Sequence, residues 1–253
     1  MNEAHPTFPN PTIQEALCEI HFRPPDERYR KGSLQGEFFK HIQPDFPELE
    51  PVARVPVQIQ MGPSGVEQRF LPAQQRIRYK HATRNLLLQL SESVLTINEL
   101  PKYPGRDKMS EDVLYAWQKL REVIEPENIG RIGLRYINRI ERTHPEERAG
   151  DWLKPSVSLA EYALSSVSGF LYRLQSLPDP NNRLIVTLGE ATEVSERSNK
   201  PIMLDIDRIV ERTIDIHNDA IISEIIRLHD SVWDVFKASM TLRLERLLKG
   251  EEP

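Results

Sequence analysis

Ile13-Gln-Glu-Ala-Leu-Cys-Glu-Ile-His-Phe22 alternates its side chains along the backbone. Ala16, Cys18, Ile20 and Phe22 fall on one face; Glu15, Glu19 and His21 fall on the other, with Leu17 among them. Period two with one polar face predicts a half-buried antiparallel strand, and Pro24-Pro25 ends it. A second stretch, Arg131-Ile-Gly-Leu-Arg-Tyr-Ile-Asn-Arg-Ile140, predicts another strand. After each comes a short helix, then several alternating strands, then a longer amphipathic helix. The expected fold class is therefore α+β, as two fused β-α-β(3–4)-α pseudo-repeats sharing an antiparallel sheet with helices on one face.

Outward from the first stretch, residues 1–10 are polar and proline-rich and read as a flexible arm. Ser33 is placed to cap a short helix through Ile42, with Leu34, Phe38 and Ile42 on one face. Strands are expected over Val52–Met61, Gln68–Lys80, Asn85–Leu90 and Val94–Leu100, the last two joined as a hairpin. Ser110 is expected to cap a helix whose apolar stripe is Val113, Trp117, Leu120 and Ile124.

In the second half a polar loop runs through His144-Pro145. Ser158-Leu-Ala-Glu161 has capping-box spacing for a short helix. Strands are expected over Gly169–Leu177, Arg183–Glu190 and Ile202–Arg212, with a charged loop over Ala191–Lys200. The longest helix is expected from Asn218 or Asp219 to about Phe236, with Ile222, Ile225, Ile226, His229, Trp233 and Phe236 toward the core. A last helix follows over Ala238–Lys249. The division is 11–128 and 129–249 as the two pseudo-repeats in one compact body, with 250–253 as a disordered tail. This order is similar to TATA-binding-protein-like and helix-grip folds, an analogy that carries no function.

The chain has 253 residues, 39% of them hydrophobic and 28% charged, so a core can form and disorder is not expected. A net charge of −5 disfavours a generally basic nucleic-acid binder. Cys18 is the single cysteine, which excludes an intrachain disulfide and fits a reducing, cytoplasmic setting. The N-terminal residues show no signal-peptide pattern, and no apolar run approaches the roughly 18 residues that cross a bilayer.

Several strings resemble a sporadically distributed prokaryotic protein family without an established activity. They are Pro11-Thr-Ile-Gln-Glu-Ala-Leu-Cys-Glu-Ile-His-Phe22, Tyr115-Ala-Trp117, Gly133-Leu-Arg-Tyr-Ile-Asn-Arg139 and the stretch His229 to Thr241. The Gly133–Arg139 string is the most specific. Tyr115-Ala-Trp117 departs from the family, which more usually carries Gly before the tryptophan. The resemblance implies a shared fold and an accessory role in mobile or defence-associated, including CRISPR-associated, gene neighbourhoods. It supplies no catalytic residues.

The chemistry-bearing patterns are few. Cys18 lies on the apolar face of its strand with no histidine placed to activate it, which is the pattern of a structural thiol. Asp205 and Asp207 share one strand face and, with His229, form a weak candidate metal set. The bland alternative puts both aspartates on a solvated face and His229 at the rim of the core. No phosphate-cradling glycine loop is present, and no cofactor is expected.

The strongest pattern is a charged sheet face. Arg131, Arg135 and Arg139 share one face of the second opening strand, and Arg76, Arg78 and Lys80 share a face of another. With Glu15, Glu19 and Asn138 they form the candidate binding face. If the two opening strands pair, carboxylates meet guanidinium groups across the sheet, at roughly 0.2–1 kcal/mol per pair. The leading reading is a salt-bridged ladder, followed by a surface for an acidic protein, then for nucleic acid. The function expected is non-enzymatic: an accessory or scaffold protein that binds another protein by its sheet face or edge strands. The alternatives are a small-molecule or nucleic-acid-sensing module and, below these, a metal-dependent hydrolase.

Overall fold

Ala16, Cys18 and Ile20 are wholly buried, while Glu15, Leu17, Glu19 and His21 between them are only half-buried. The expected alternation of the first opening strand therefore holds side chain by side chain. The computed structural model describes residues 5–24, 33–54, 57–62, 65–70, 74–144, 146–154, 169–191 and 200–252. In chain order the strands are β1 (Ile13–Arg23), β2 (Glu48–Arg54), β3 (Val57–Gly62), β4 (Gly65–Phe70), β5 (Gln74–Lys80), β6 (Leu86–Leu90), β7 (Val94–Glu99), β8 (Asn128–Ile140), β9 (Leu171–Asp179), β10 (Asn182–Glu190) and β11 (Ile202–Ile214). The helices are α1 (Ser33–Ile42), α2 (Arg106–Arg121), α3 (Ala149–Trp152), α4 (Asn218–Ser239) and α5 (Leu242–Lys249).

Nine strands form one antiparallel sheet in the order β2-β5-β6-β7-β1-β8-β11-β10-β9, and β3 and β4 form a separate hairpin. The two opening strands lie side by side at the middle, with Leu17 opposite Arg135 and Cys18 opposite Leu134. Helices α2 and α4 pack on the same side of the sheet, α2 against β7 and α4 against β8 and β11. Trp117 of α2 is fully buried, and its indole N–H donates to the Ile216 carbonyl at 2.9 Å, tying α2 to the segment before α4. Tyr79 of β5 donates to the Gln35 carbonyl at 2.8 Å and fixes α1. Among the described residues no helix is long and apolar enough to cross a membrane.

A charge cluster locks α2 to the rim of the sheet. Arg84 donates to Asp112 Oδ1 at 2.8 Å and to Asp112 Oδ2 at 2.5 Å, and to Glu99 of β7 at 3.0 Å. Both acidic side chains are nearly inaccessible; the guanidinium, with a proton kept on Glu99, makes their burial tolerable.

The structure corrects several expectations. Helix α2 begins at Arg106, after Gly105 at φ +100°, rather than at a Ser110 cap. Met109 and Asp112 are both buried, so tertiary contacts recruit the turn before Ser110. On α4 the buried stripe is Ile221, Ile225, Leu228, Val232 and Phe236. Ile222, Ile226, His229 and Trp233 lie one step round the helix and are half-buried. The helix is apolar over more than one stripe, so periodicity left its rotation open.

The expected Val52–Met61 strand belongs to two elements in different sheets, β2 and β3. Pro51 fits within β2 because that strand is an edge, paired among the described residues only with β5. The polar loop after β8 contains the single turn α3, whose Trp152 is fully buried beneath Arg243. The expected Ser158 helix lies outside the described residues, as does all of the Ala191–Lys200 loop but its two ends.

Candidate functional site

The face of the sheet opposite α2 and α4 is where the odd-numbered positions of β1, β8 and β11 emerge. It is concave. A cavity of about 360 Å³ is lined by residues of β1, β2, β5, β6, β7, β8 and β11, from Val52 near one edge to Asp207. A flat sheet could not bring those strands around one cavity.

The expected cations are on this face and they are held by carboxylates. Arg76 is 5% exposed; it donates to Glu19 Oε2 at 3.3 Å and to the Thr96 hydroxyl at 3.2 Å. Arg78 donates to Glu50 at 2.8 Å, and Lys80 lies 3.7 Å from Glu48. Arg131 sits between Glu19 and Glu211, at 3.9 Å from each. Arg135 grips Asp205 with two hydrogen bonds, and Arg139 pairs with Glu141 at 2.6 Å. Glu15 accepts from the Asn98 amide.

Asn138 does not belong to this face. It is 3% exposed on the helix side, where its Oδ1 accepts from the Thr12 hydroxyl at 3.0 Å. The strand period decides this, because Asn138 is one residue out of step with Arg135 and Arg139.

Two carboxyl groups in the cavity are driven in opposite directions. Burial opposes the charge of Glu19, but the hydrogen bond and charge of His21, with Arg76 and Arg131, outweigh it and hold the carboxyl at about 2. Burial pushes Asp207 up to about 6; Arg135 opposes the shift and neighbouring Asp205 adds to it. The face is thus a charge lattice in which Asp207 takes up a proton far more readily than Glu19.

Asp205 and Asp207 do not meet His229. They lie on the open face, while His229 on α4 stacks edge-on against Tyr136, a helix-side residue of β8, with centroids 5.8 Å apart. The sheet separates them. Sequence reasoning also missed His21 as the partner of Glu19, Glu48 as the partner of Lys80, and Glu50 and Glu211 as partners of arginines. Their signal was strand parity, which becomes usable once the strand order is known.

Cys18 is fully buried, and burial with the Glu19 charge pushes its thiol up to about 12, so it stays protonated and inert.

The far edge of the sheet differs in character. Among the described residues β9 pairs with β10 alone. It presents Leu171, Leu174 and Leu177 at 73%, 44% and 62% exposure.

Compared with protein-family models and with curated proteins, the chain matches none.

Proposed function

We propose that this chain is a non-enzymatic binding protein, an accessory or scaffold that takes a protein partner on the β9 edge of its sheet. The observation that carries this reading is β9 itself. Its outer backbone N–H and C=O groups have no neighbouring strand among the described residues, and three exposed leucines lie along it. An extended segment added there gains main-chain hydrogen bonds, and the leucines on both sides of the strand supply apolar contact. The arginine face supports the same choice. Its guanidinium groups are already held by carboxylates, which a polyanion would have to displace. The accessory role in a prokaryotic defence setting rests on the motif strings and belongs to the same proposal.

The test is affinity capture with the tagged full chain in its native host, comparing wild type with Leu174→Lys and Leu177→Lys. Both variants should unfold within about 0.5 kcal/mol of wild type, as surface changes do, and lose the captured protein. Undiminished capture by both would sink the proposal.

A second reading is favoured by the concave face: a small cationic or zwitterionic molecule bound in the cavity, with Asp207 as its anionic contact. That reading predicts that Asp207→Asn abolishes ligand binding while leaving protein capture intact.

We further infer that the two halves are one duplicated unit of TATA-binding-protein-like or helix-grip type. The strand order supports it. Outward from β1 come β7, β6, β5 and then the extra edge strand β2; outward from β8 come β11, β10 and β9. The long helices α2 and α4 follow β7 and β11 in the chain. An experimental structure in which residues 11–125 and 130–237 fail to superpose through their opening strands and long helices would overturn it.

A further inference from the structure

Residues 5–10 lie along α4 and α5 and bring a second histidine to His229. Asn10 donates from its backbone to the Leu248 carbonyl and from its side chain to the Leu247 carbonyl, both at 3.2 Å. Phe8 and His5 pack on Trp233, with centroids 6.0 and 5.2 Å away. His5 and His229 are then 5.0 Å apart, centroid to centroid. Asp230 completes the group, its Oδ1 lying 3.0 Å from His5 Nε2 and 3.9 Å from His229 Nδ1.

His229 Nδ1 is the telling atom. It is shielded from water and has no hydrogen-bond partner. A buried ring nitrogen left unmatched is costly, so its surroundings call for an explanation. It faces a carboxylate oxygen and a second imidazole, the two donor types that accompany histidine in transition-metal sites.

We propose that His5, His229 and Asp230 bind a divalent transition-metal ion that clips the N-terminal segment onto α4. One donor atom from each of the three residues lies within 4.8 Å of the others. Bond lengths of about 2.0–2.2 Å require donor atoms about 3–3.5 Å apart. The His5–Asp230 separation already meets this, and His229 closes the rest by a small rotation of its ring. Two imidazole nitrogens select zinc, cobalt, nickel or iron(II) over magnesium and calcium, which take oxygen donors. The positive charge of Arg106 does not bar a cation, because it is paired with Asp107 at 2.9 Å.

The probe is the metal alone. Chelator-stripped full-chain protein is titrated with Zn2+ by calorimetry, and with Co2+ by visible absorption. One ion should bind per chain in the micromolar range, with Co2+ developing ligand-field bands and Mg2+ giving no heat. His5→Gln should weaken Zn2+ binding at least tenfold, and His229→Gln should abolish the Co2+ bands. Circular dichroism checks that both variants are folded. Should His229→Gln fail to fold, His5→Gln decides alone, since its residue lies on the docked segment. Binding weaker than about 100 µM, or equally tight in wild type and His5→Gln, would overturn the proposal.

Discussion

Arg135 on β8 holds both carboxylate oxygens of Asp205 on β11, from Nε at 2.8 Å and from Nη2 at 2.6 Å. The grip is diagonal: the residue directly opposite Arg135 in the ladder is Asp207, and Asp205 is opposite Ile137. One arginine therefore satisfies one aspartate and leaves the next in its field without a hydrogen bond to it. Arg135 therefore opposes the burial of Asp207 only as a nearby charge.

Removing the grip should cost stability. Arg135→Ala is expected to lower the unfolding free energy by about 1.5–3 kcal/mol, the range for hydrogen bonds to charged groups. Arg135→Lys should recover only part, because an ammonium cannot make the paired geometry. Urea unfolding of Arg135→Ala, Asp205→Ala and the double variant checks this. A coupling energy near zero would show that the pair contributes nothing.

Asp207 and Glu19 should show opposite pH signatures within one cavity. The Asp207 carboxyl is pushed up to about 6, so its contribution to stability is present below about 4 and is lost as pH rises to about 6. Asp207→Asn should therefore be more stable than wild type at pH 7, with the gain shrinking toward pH 4. Glu19 is held at about 2, so its contribution is present above about 4.5 and is lost as pH falls toward 2. Glu19→Gln should be less stable than wild type at pH 7. Thermal unfolding from pH 3 to pH 8 reads both, and equal slopes in the two variants would refute the assignment.

The Glu99–Asp112 pair gives a second pH test. Burial, then the hydrogen bond and charge of Asp112, push Glu99 up to about 8 against the pull of Arg84. The folded chain keeps this proton while the unfolded chain loses it near 4.5, so its stabilisation fades as pH rises from about 4.5 to about 8. Glu99→Gln keeps a donor toward Asp112 and should escape this loss. Its advantage over wild type should grow between pH 5 and pH 8 and then level off. No change in that interval would mean that Glu99 is ionised in the fold.

The tryptophans should rank by burial. Trp117→Ala should cost about 3–5 kcal/mol, as large-to-small changes in a core do. Trp233 is half-buried beneath Phe8 and His5, so Trp233→Ala should cost clearly less. Guanidinium unfolding compares them, and equal losses would place Trp233 in the core after all.

The elements were legible where period and burial agree. β1 alternates without exception over Ala16–Phe22, and Leu34, Phe38 and Ile42 of α1 are all fully buried at their spacing of four. Asn138 departs from the expected face because it is one residue out of step with Arg139 along the strand. The rotation of α4 was open because Ile222, Ile226 and Trp233 are as apolar as the residues beside them. The metal candidate was half seen: His229 was singled out, but with Asp205 and Asp207, which the sheet keeps on its other side.

Alternation and helical spacing are local properties, set by the two-residue period of a strand and the 3.6-residue turn of a helix. They determined by themselves that the chain forms strands and amphipathic helices, and which residues of β1 turn inward. Partnership between side chains is not local. Arg135 meets Asp205 because β11 pairs with β8, Arg76 reaches Glu19 across a concave face, and His5 reaches His229 because the two ends of the chain pack together. Strand order, sheet curvature and the docking of the N-terminal segment follow from the closing of one shared core, which no window of sequence contains.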